Sequence, residues 1–288
     1  MTPDGFIMTV FAGEGRRGNA TGLAILGHAL PQTECQRLAT ALGLPDSGFL
    51  FRQPDSDHWQ LASFSPVEPL AVCFQTLLAS AFVLRSQGKA KLPVQVRASP
   101  GSRYFLVSDQ PGDPSLLWVR LRRTHGTAHP APQSAFEYLN VKDVEAPPVI
   151  VDMGRARIVL EVGRERLFAF RQDPDAVMSF CRHAEVSGIC LFARGDRGEI
   201  DARVFTTSLE GREDCGTGGA IASIALYLSY TGKAGDVMAA VKVRQGHGRE
   251  GFGGLMMLKA DRDDVWLGGR VEPIMHGHFA LIDEGGRE

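Results

Sequence analysis

The sequence has no excess of positive charge: 31 Lys and Arg stand against 33 Asp and Glu, a net charge of −2 over 288 residues. That balance excludes the basic footprint of a nucleic-acid binder and a polybasic membrane patch. No apolar run approaches the roughly 20 residues that cross a bilayer. The opening stretch MTPDGFIMTVFAG lacks a charged segment followed by an apolar one, so no secretory leader is expected and the chain reads as cytoplasmic. Cysteines are few and odd in number (Cys35, Cys73, Cys181, Cys190 and Cys215), and no C-x-x-C occurs. Zinc knuckles and thioredoxin motifs are thereby removed, and reduced thiols are expected. No low-complexity segment is present. With 44% hydrophobic residues the chain can build a core without disulfides or structural metal.

What the sequence does contain is a long-period repeat. SGFLF (47–51), WQLASF (59–64), Cys73, an apolar run, QGKA (87–90) and VQVR (94–97) recur in order as SGICLF (187–192), IDARVF (200–205), Cys215, an apolar run, TGKA (231–234) and VKVR (241–244). Ser47 to Phe64 is 17 positions and Ser187 to Phe205 is 18; Phe64 to Cys73 is 9 and Phe205 to Cys215 is 10. Five strings in one order argue for duplication.

Each repeat has the same local logic. GFLF and GICLF are apolar runs of strand length, and WQLASF and IDARVF alternate as half-buried strands do. FQTLLASAFVL (74–84) and GGAIASIALYL (218–228) carry almost no charge and are too long for typical strands. A helix that is apolar on all sides is buried on all sides. QGK and TGK supply glycine where such helices end. The predicted fold is therefore α+β: two similar pseudo-symmetric lobes, each a curved, mostly antiparallel sheet wrapped around a central buried helix. The lobes are expected at 1–130 and 149–270, joined by the proline-rich segment 131–148. The segment 271–288 is expected to pack back on the first lobe.

Cys73 and Cys215 each stand just before a central helix. A helix N-terminus offers unpaired amides and a positive dipole end, which bind carboxylates and lower a thiol's pKa. Two acid/base groups on opposite faces of one carbon are what stereoinversion needs. The alternative for each cysteine is a small buried hydrophobe. Around the second thiol, REDCGTGGA (212–220) brings Asp214 and Glu213 alongside. Gly216, Thr217, Gly218 and Gly219 offer amides for a substrate carboxylate. At the first site VCFQ (72–75) has no glycine, so its cradle is less open.

Several segments resemble the phenazine-biosynthesis isomerase-like family of the diaminopimelate-epimerase-like superfamily. They are GRRGNATGLAIL (15–26), GLPDSGFLF (43–51), FSPVEPLAVCFQTLLAS (64–80), ARVFTTSLEGREDCGTGGA (202–220) and QGHGREGFGG (245–254). CGTG (215–218) is closer to the second cysteine motif of diaminopimelate epimerase. The resemblance implies a two-lobed isomerase that uses no metal or organic cofactor. Cys73 and Cys215 fall on the paired thiols of the epimerases and of a related histidine racemase. Asn19 falls on a substrate-binding asparagine, Asp46 on the catalytic glutamate of the phenazine-type enzymes, and Asp214 on the aspartate of their E-D-P motif. Gln75 stands where these enzymes carry Asn or His, and Gly219 where a serine stands. Phe74 replaces a glycine after the first thiol, which would block or reshape the pocket; Glu68 sits one place early relative to an acidic residue; Cys215 replaces a proline.

The expected function is racemisation or epimerisation of a small amino acid or amino-acid-derived carboxylate by Cys73 and Cys215, with Asp46 or Asp214 orienting the substrate ammonium. The alternatives are a phenazine-type shift of a proton and double bond with Asp46 as acid/base, or an inactive ligand-binding homologue, to which Phe74 and Gln75 point. The expected partner is a small amino-acid-like molecule, with no nucleic acid and no membrane; a homodimer is compatible with the sequence. Gly246-x-Gly248-x-x-Gly251 spells a dinucleotide fingerprint, but the FGGLMMLKAD that follows reads as a strand, not a phosphate-binding helix. His276 and His278 could share one face of a strand, yet no metal pattern surrounds them.

Overall fold

A computed structural model describes residues 3–52, 58–99, 104–110, 112–139, 146–247 and 251–279. Its first half runs β1 (Asp4–Val10), β2 (Asn19–Leu26), α1 (Gln32–Leu42), β3 (Asp46–Arg52), β4 (Trp59–Phe64), β5 (Pro69–Leu70), α2 (Phe74–Ser86), β6 (Val94–Ser99), β7 (Tyr104–Gln110), β8 (Asp113–Arg122) and β9 (Thr127–Pro130). After α3 (Gln133–Tyr138) follow β10 (Val149–Asp152), β11 (Ala156–Glu161), α4 (Arg164–Ala169), α5 (Pro174–His183), β12 (Gly188–Arg194), β13 (Ile200–Thr206), β14 (Glu213–Asp214), α6 (Gly218–Tyr230), β15 (Val241–Gln245), β16 (Gly254–Ala260) and β17 (Asp264–His278).

The strands form two ring-like sheets, the first closed by hydrogen bonds and the second left open between β17 and β9. In the first, β1, β2, β3, β4, β6, β7, β8 and β17 pair in that order and β17 returns to β1. Only β2–β3 and β4–β6 are parallel. The second runs β9, β10, β11, β12, β13, β15, β16 and β17, with β11–β12 and β13–β15 parallel. The parallel pairs occupy the same places in both rings, so the duplication is visible in the hydrogen bonding itself. The α+β fold with a helix inside each lobe is thus observed.

The rings share a seam. The first half of β17 pairs with both β16 and β8, while Val271–His278 pairs with β1 of the first ring. Conversely β9, which follows β8 closely, pairs with β10 of the second. The second sheet thus takes up chain from Thr127, ahead of the division expected at 130, and part of the expected link is helical in α3. Residues 140–145 and 280–288 lie outside the described residues.

Both central helices have 13 residues and are buried around their circumference. α2 touches β1, β2, β3, β4, β7, β8 and β17; α6 touches β9, β10, β11, β16 and β17. A glycine with positive φ follows each helix, Gly88 at 65° and Gly232 at 79°, each donating its amide back into the last turn. That is the left-handed ending which the QGK and TGK strings predict. After β15 the chain enters β16 and not a helix, which removes the dinucleotide reading; Gly248 is outside the described residues. His276 stacks on Phe6 with centroids 4.4 Å apart, and among the described residues no group of His, Cys, Asp and Glu could hold a metal ion. No helix among them is long and apolar enough to cross a membrane.

Candidate active site

The first turns of α2 and α6 meet where the two lobes face each other. Each helix is approached through a two-residue strand: Leu70 of β5 lies three residues before the N-cap Cys73, and Asp214 of β14 lies three residues before the N-cap Thr217. The structural counterpart of Cys73 is therefore Thr217, not Cys215. String matching set the two cysteines equivalent, but the helix start is two residues further on.

That offset turns the second thiol away. The Cys215 Sγ donates to the carbonyl oxygen of Gly18 at 3.4 Å, and Cys215 does not line the recess between the lobes. Gly216 is also absent from its lining: its amide donates to Asp214 Oδ1 at 3.3 Å, and a Cβ there would meet Phe11 and Asn19. The recess does bring together Asn19, Asp46, Cys73, Gln75, Asp214, Thr217, Gly218 and Gly219. Phe74, buried, also lines it.

Two carboxyl groups sit here in different circumstances. Asp214 is buried and fully engaged: Oδ1 accepts from Asn19 Nδ2 at 3.1 Å and from the Gly216 amide, and Oδ2 accepts from the Thr217 hydroxyl. Burial raises its pKa, while the Thr217 hydroxyl, the Gly216 and Cys215 amides and the charge of Arg157 oppose the rise. Asp46, at the start of β3, is pushed up to about 7 by burial and then by the nearby Asp214; a hydrogen bond from the Cys73 thiol and the charge of Arg155 pull the other way. Two carboxylates in one low-dielectric site do not ionise independently. Asp46 is the one left with an oxygen to offer.

A polar chain fixes the rest. Asn19 Nδ2 also donates to Gln75 Oε1 at 3.3 Å, and Gln75 Nε2 donates to Thr21 Oγ1 at 3.1 Å. Gln245 accepts from the Thr217 amide at 2.8 Å and donates to the Asp214 carbonyl oxygen at 2.9 Å. Gln75 is thereby a working member of the network and not an eroded position. Glu68 pairs with Arg155 across the two lobes at 2.7 Å. Thr21, Gln245, Arg155 and Arg157 were not singled out from sequence. The signal for the two arginines was the charge pattern RAR entering an apolar strand, and only the fold shows where it points.

Neither thiol is activated. Burial, with Asp46 next, drives Cys73 well above the ordinary thiol range, and burial, then Asp214, drives Cys215 up to about 12. Cys35 and Cys181 are pushed up to about 11, and Cys190 to about 12, also by burial. Burial and the neighbouring carboxylates thus act against the lowering expected at a helix N-terminus. Iodoacetamide at neutral pH should therefore leave all five cysteines of the native protein nearly unlabelled, and denaturant should expose all five, as read by mass spectrometry. Rapid native labelling of Cys73 or Cys215 would contradict this electrostatic account.

With the geometry in hand, comparison with known proteins is informative. The family model described as phenazine biosynthesis-like protein matches residues 8–277. The chain belongs to the phenazine biosynthesis-like family. It is 20% identical over 285 residues to an uncharacterized isomerase of Halalkalibacterium halodurans, covering 98% of this chain and 100% of that one. It is 22% identical over 302 residues to the uncharacterized isomerase YddE of Escherichia coli K12, covering 98% and 99%. Among solved structures it resembles a phenazine biosynthesis protein of Enterococcus faecalis with a TM-score of 0.74 and 21% identity, covering 98% of this chain and all of the other. A hydroxyproline epimerase of Agrobacterium vitis shares the fold at a TM-score of 0.64 and 12% identity, covering 99% and 94%. The fold expected from the repeat is thus shared by a phenazine biosynthesis protein and by a hydroxyproline epimerase.

Proposed function

We propose that the chain is an isomerase that shifts a proton, and with it a double bond, on a small carboxylate-bearing substrate, with Asp46 carrying the proton. The observation that supports this reading is the contrast between the carboxyl groups: Asp214 is bonded through both oxygens, whereas Asp46 lines the recess with its pKa raised to about 7. A general base tuned close to the working pH combines adequate basicity with an adequate ionised fraction. The relatives named as isomerases agree with the reaction class.

The step balances within the site. Ionised Asp46 takes a proton from a carbon next to an electron-withdrawing group, and the electron pair moves into that group. First-turn amides of α2 and α6 face the charge that develops. The neutral Asp46 carboxyl then returns the proton to a different carbon. Cys73 stays a thiol and holds the Asp46 carboxyl in place, and Asp214 holds Asn19 and Thr217. Inversion by a thiol pair loses support because Cys215 faces Gly18.

The test is proton NMR in D₂O across amino acids and unsaturated carboxylates, with ultraviolet absorbance reporting double-bond movement. For a substrate found in this way, kcat/KM should rise with pH through the region around 7, because the ionised form of Asp46 is the base. A profile that is flat from acid to mildly alkaline pH would remove Asp46 from this role. Stereoinversion without a double-bond shift would return the thiol reading.

A further inference from the structure

Arg157 of β11 lines the recess with only 5% of its surface exposed. Its Nη1 donates to the Arg155 carbonyl oxygen at 3.0 Å, and its Nε is buried with no hydrogen-bond partner among the described residues. Asp214 feels its charge, but the Asp214 oxygens are bonded to Asn19, Gly216 and Thr217. The guanidinium lies against the first turn of α6: a Cβ on Gly219 would come within 3.3 Å of Nη1, so glycine there leaves it room. A cation thus faces the positive end of a helix, with Arg155 also at the recess. Arg155 has Glu68 as a bonded counter-ion, whereas Arg157 has no ion pair among the described residues, and a buried charge without one is costly. Burial brings Arg157 down only to about 10, so it stays charged at neutral pH.

We propose that Arg157 is a ligand of the substrate's carboxylate, its guanidinium completing the seat already expected at the first-turn amides of Gly218 and Gly219. The seat belongs to the second lobe and Asp46 to the first. On the proton-shift reading, the substrate's acid group is held at the α6 side while its reacting carbon turns toward Asp46. A planar guanidinium suits a carboxylate's two oxygens, which a lysine does not reproduce.

Benzoate is a suitable probe, with benzamide as its uncharged twin, followed by titration calorimetry and thermal melting. The native protein should bind benzoate and not benzamide. Arg157→Met should weaken benzoate binding by about 10–100-fold, the loss of a charge-assisted contact, and Arg157→Lys should fall between. Without ligand, Arg157→Met should melt no lower than the native protein, because it removes a charge with no bonded partner. Asp46→Asn should still bind benzoate, so the seat is tested even if Asp46 carries no proton. Undiminished benzoate binding in Arg157→Met, or a clear drop in its ligand-free melting temperature, would make Arg157 a structural counter-charge to Asp214 and overturn the proposal. So would a native protein that binds neither probe, or both alike.

Discussion

Asp46→Asn is expected to cost at least the 10²–10⁴-fold that general acid–base catalysis typically supplies, about 3–5 kcal/mol in the barrier. The amide is close to isosteric and can still accept from the Cys73 thiol, so the recess should keep its shape while losing its proton carrier. Cys215→Ser should leave the rate within a few-fold of native, since that side chain is bonded to Gly18 outside the recess. Cys73→Ser should be intermediate, because a hydroxyl can donate to Asp46 as the thiol does. Rates on the exchange-active substrate rank the three variants. Loss of activity in both serine variants, with Asp46→Asn still active, would restore the thiol pair.

The same substitution carries a stability signature with a definite sign. The folded Asp46 carboxyl titrates at about 7, above the ordinary value of 3.8. Between those values the folded state binds more protons than the unfolded chain, so native stability falls as pH rises through this window. Asp46→Asn removes that dependence. The variant should therefore gain on the native protein in melting temperature as pH goes from 5 to 8, which separates a tuned base from a carboxylate that merely holds the fold together.

The two buried helices were legible because a run such as GGAIASIALYL has no polar face to give to water. The glycines after them were legible because a left-handed ending selects for glycine. What could not be read was the offset between Cys215 and the N-cap Thr217. Matching strings count residues along the chain, whereas helix position is set by where β14 leaves β13, and that depends on pairing between distant segments. The strand order was hidden for the same reason: the C-terminal segment was expected to pack on the first lobe, but nothing in MTVFAG says that it would do so as the partner of β1. Asp46 and Asp214 could be named by resemblance, but their division of labour rests on which oxygens find donors. Arg157 reads as an ordinary charged residue until the fold buries it.

The largest change in stability is expected where the two helices touch. Phe74 opens α2 and Gly218 opens α6, and a Cβ on Gly218 would sit 2.7 Å from the Phe74 Cβ and 2.7 Å from Leu267 Cδ2. The Leu267 atom is the end of a flexible side chain and can swing aside. The Phe74 Cβ is fixed to the α2 backbone and cannot. Gly218→Ala should therefore cost about 1–3 kcal/mol by overpacking, despite the better helix propensity of alanine. Phe74 is 4% exposed and packs edge-on to Phe105 at 6.3 Å, so Phe74→Gly should cost at least the 3–5 kcal/mol or so of a buried phenylalanine deletion. The two changes should not add. With the Phe74 Cβ gone, the methyl at 218 enters vacated space, and its cost should shrink toward zero or reverse. A double-mutant cycle in urea should then show a coupling of about 1–3 kcal/mol. Strict additivity would mean that α2 and α6 can slide apart without penalty, and the two N-termini would no longer define one rigid recess.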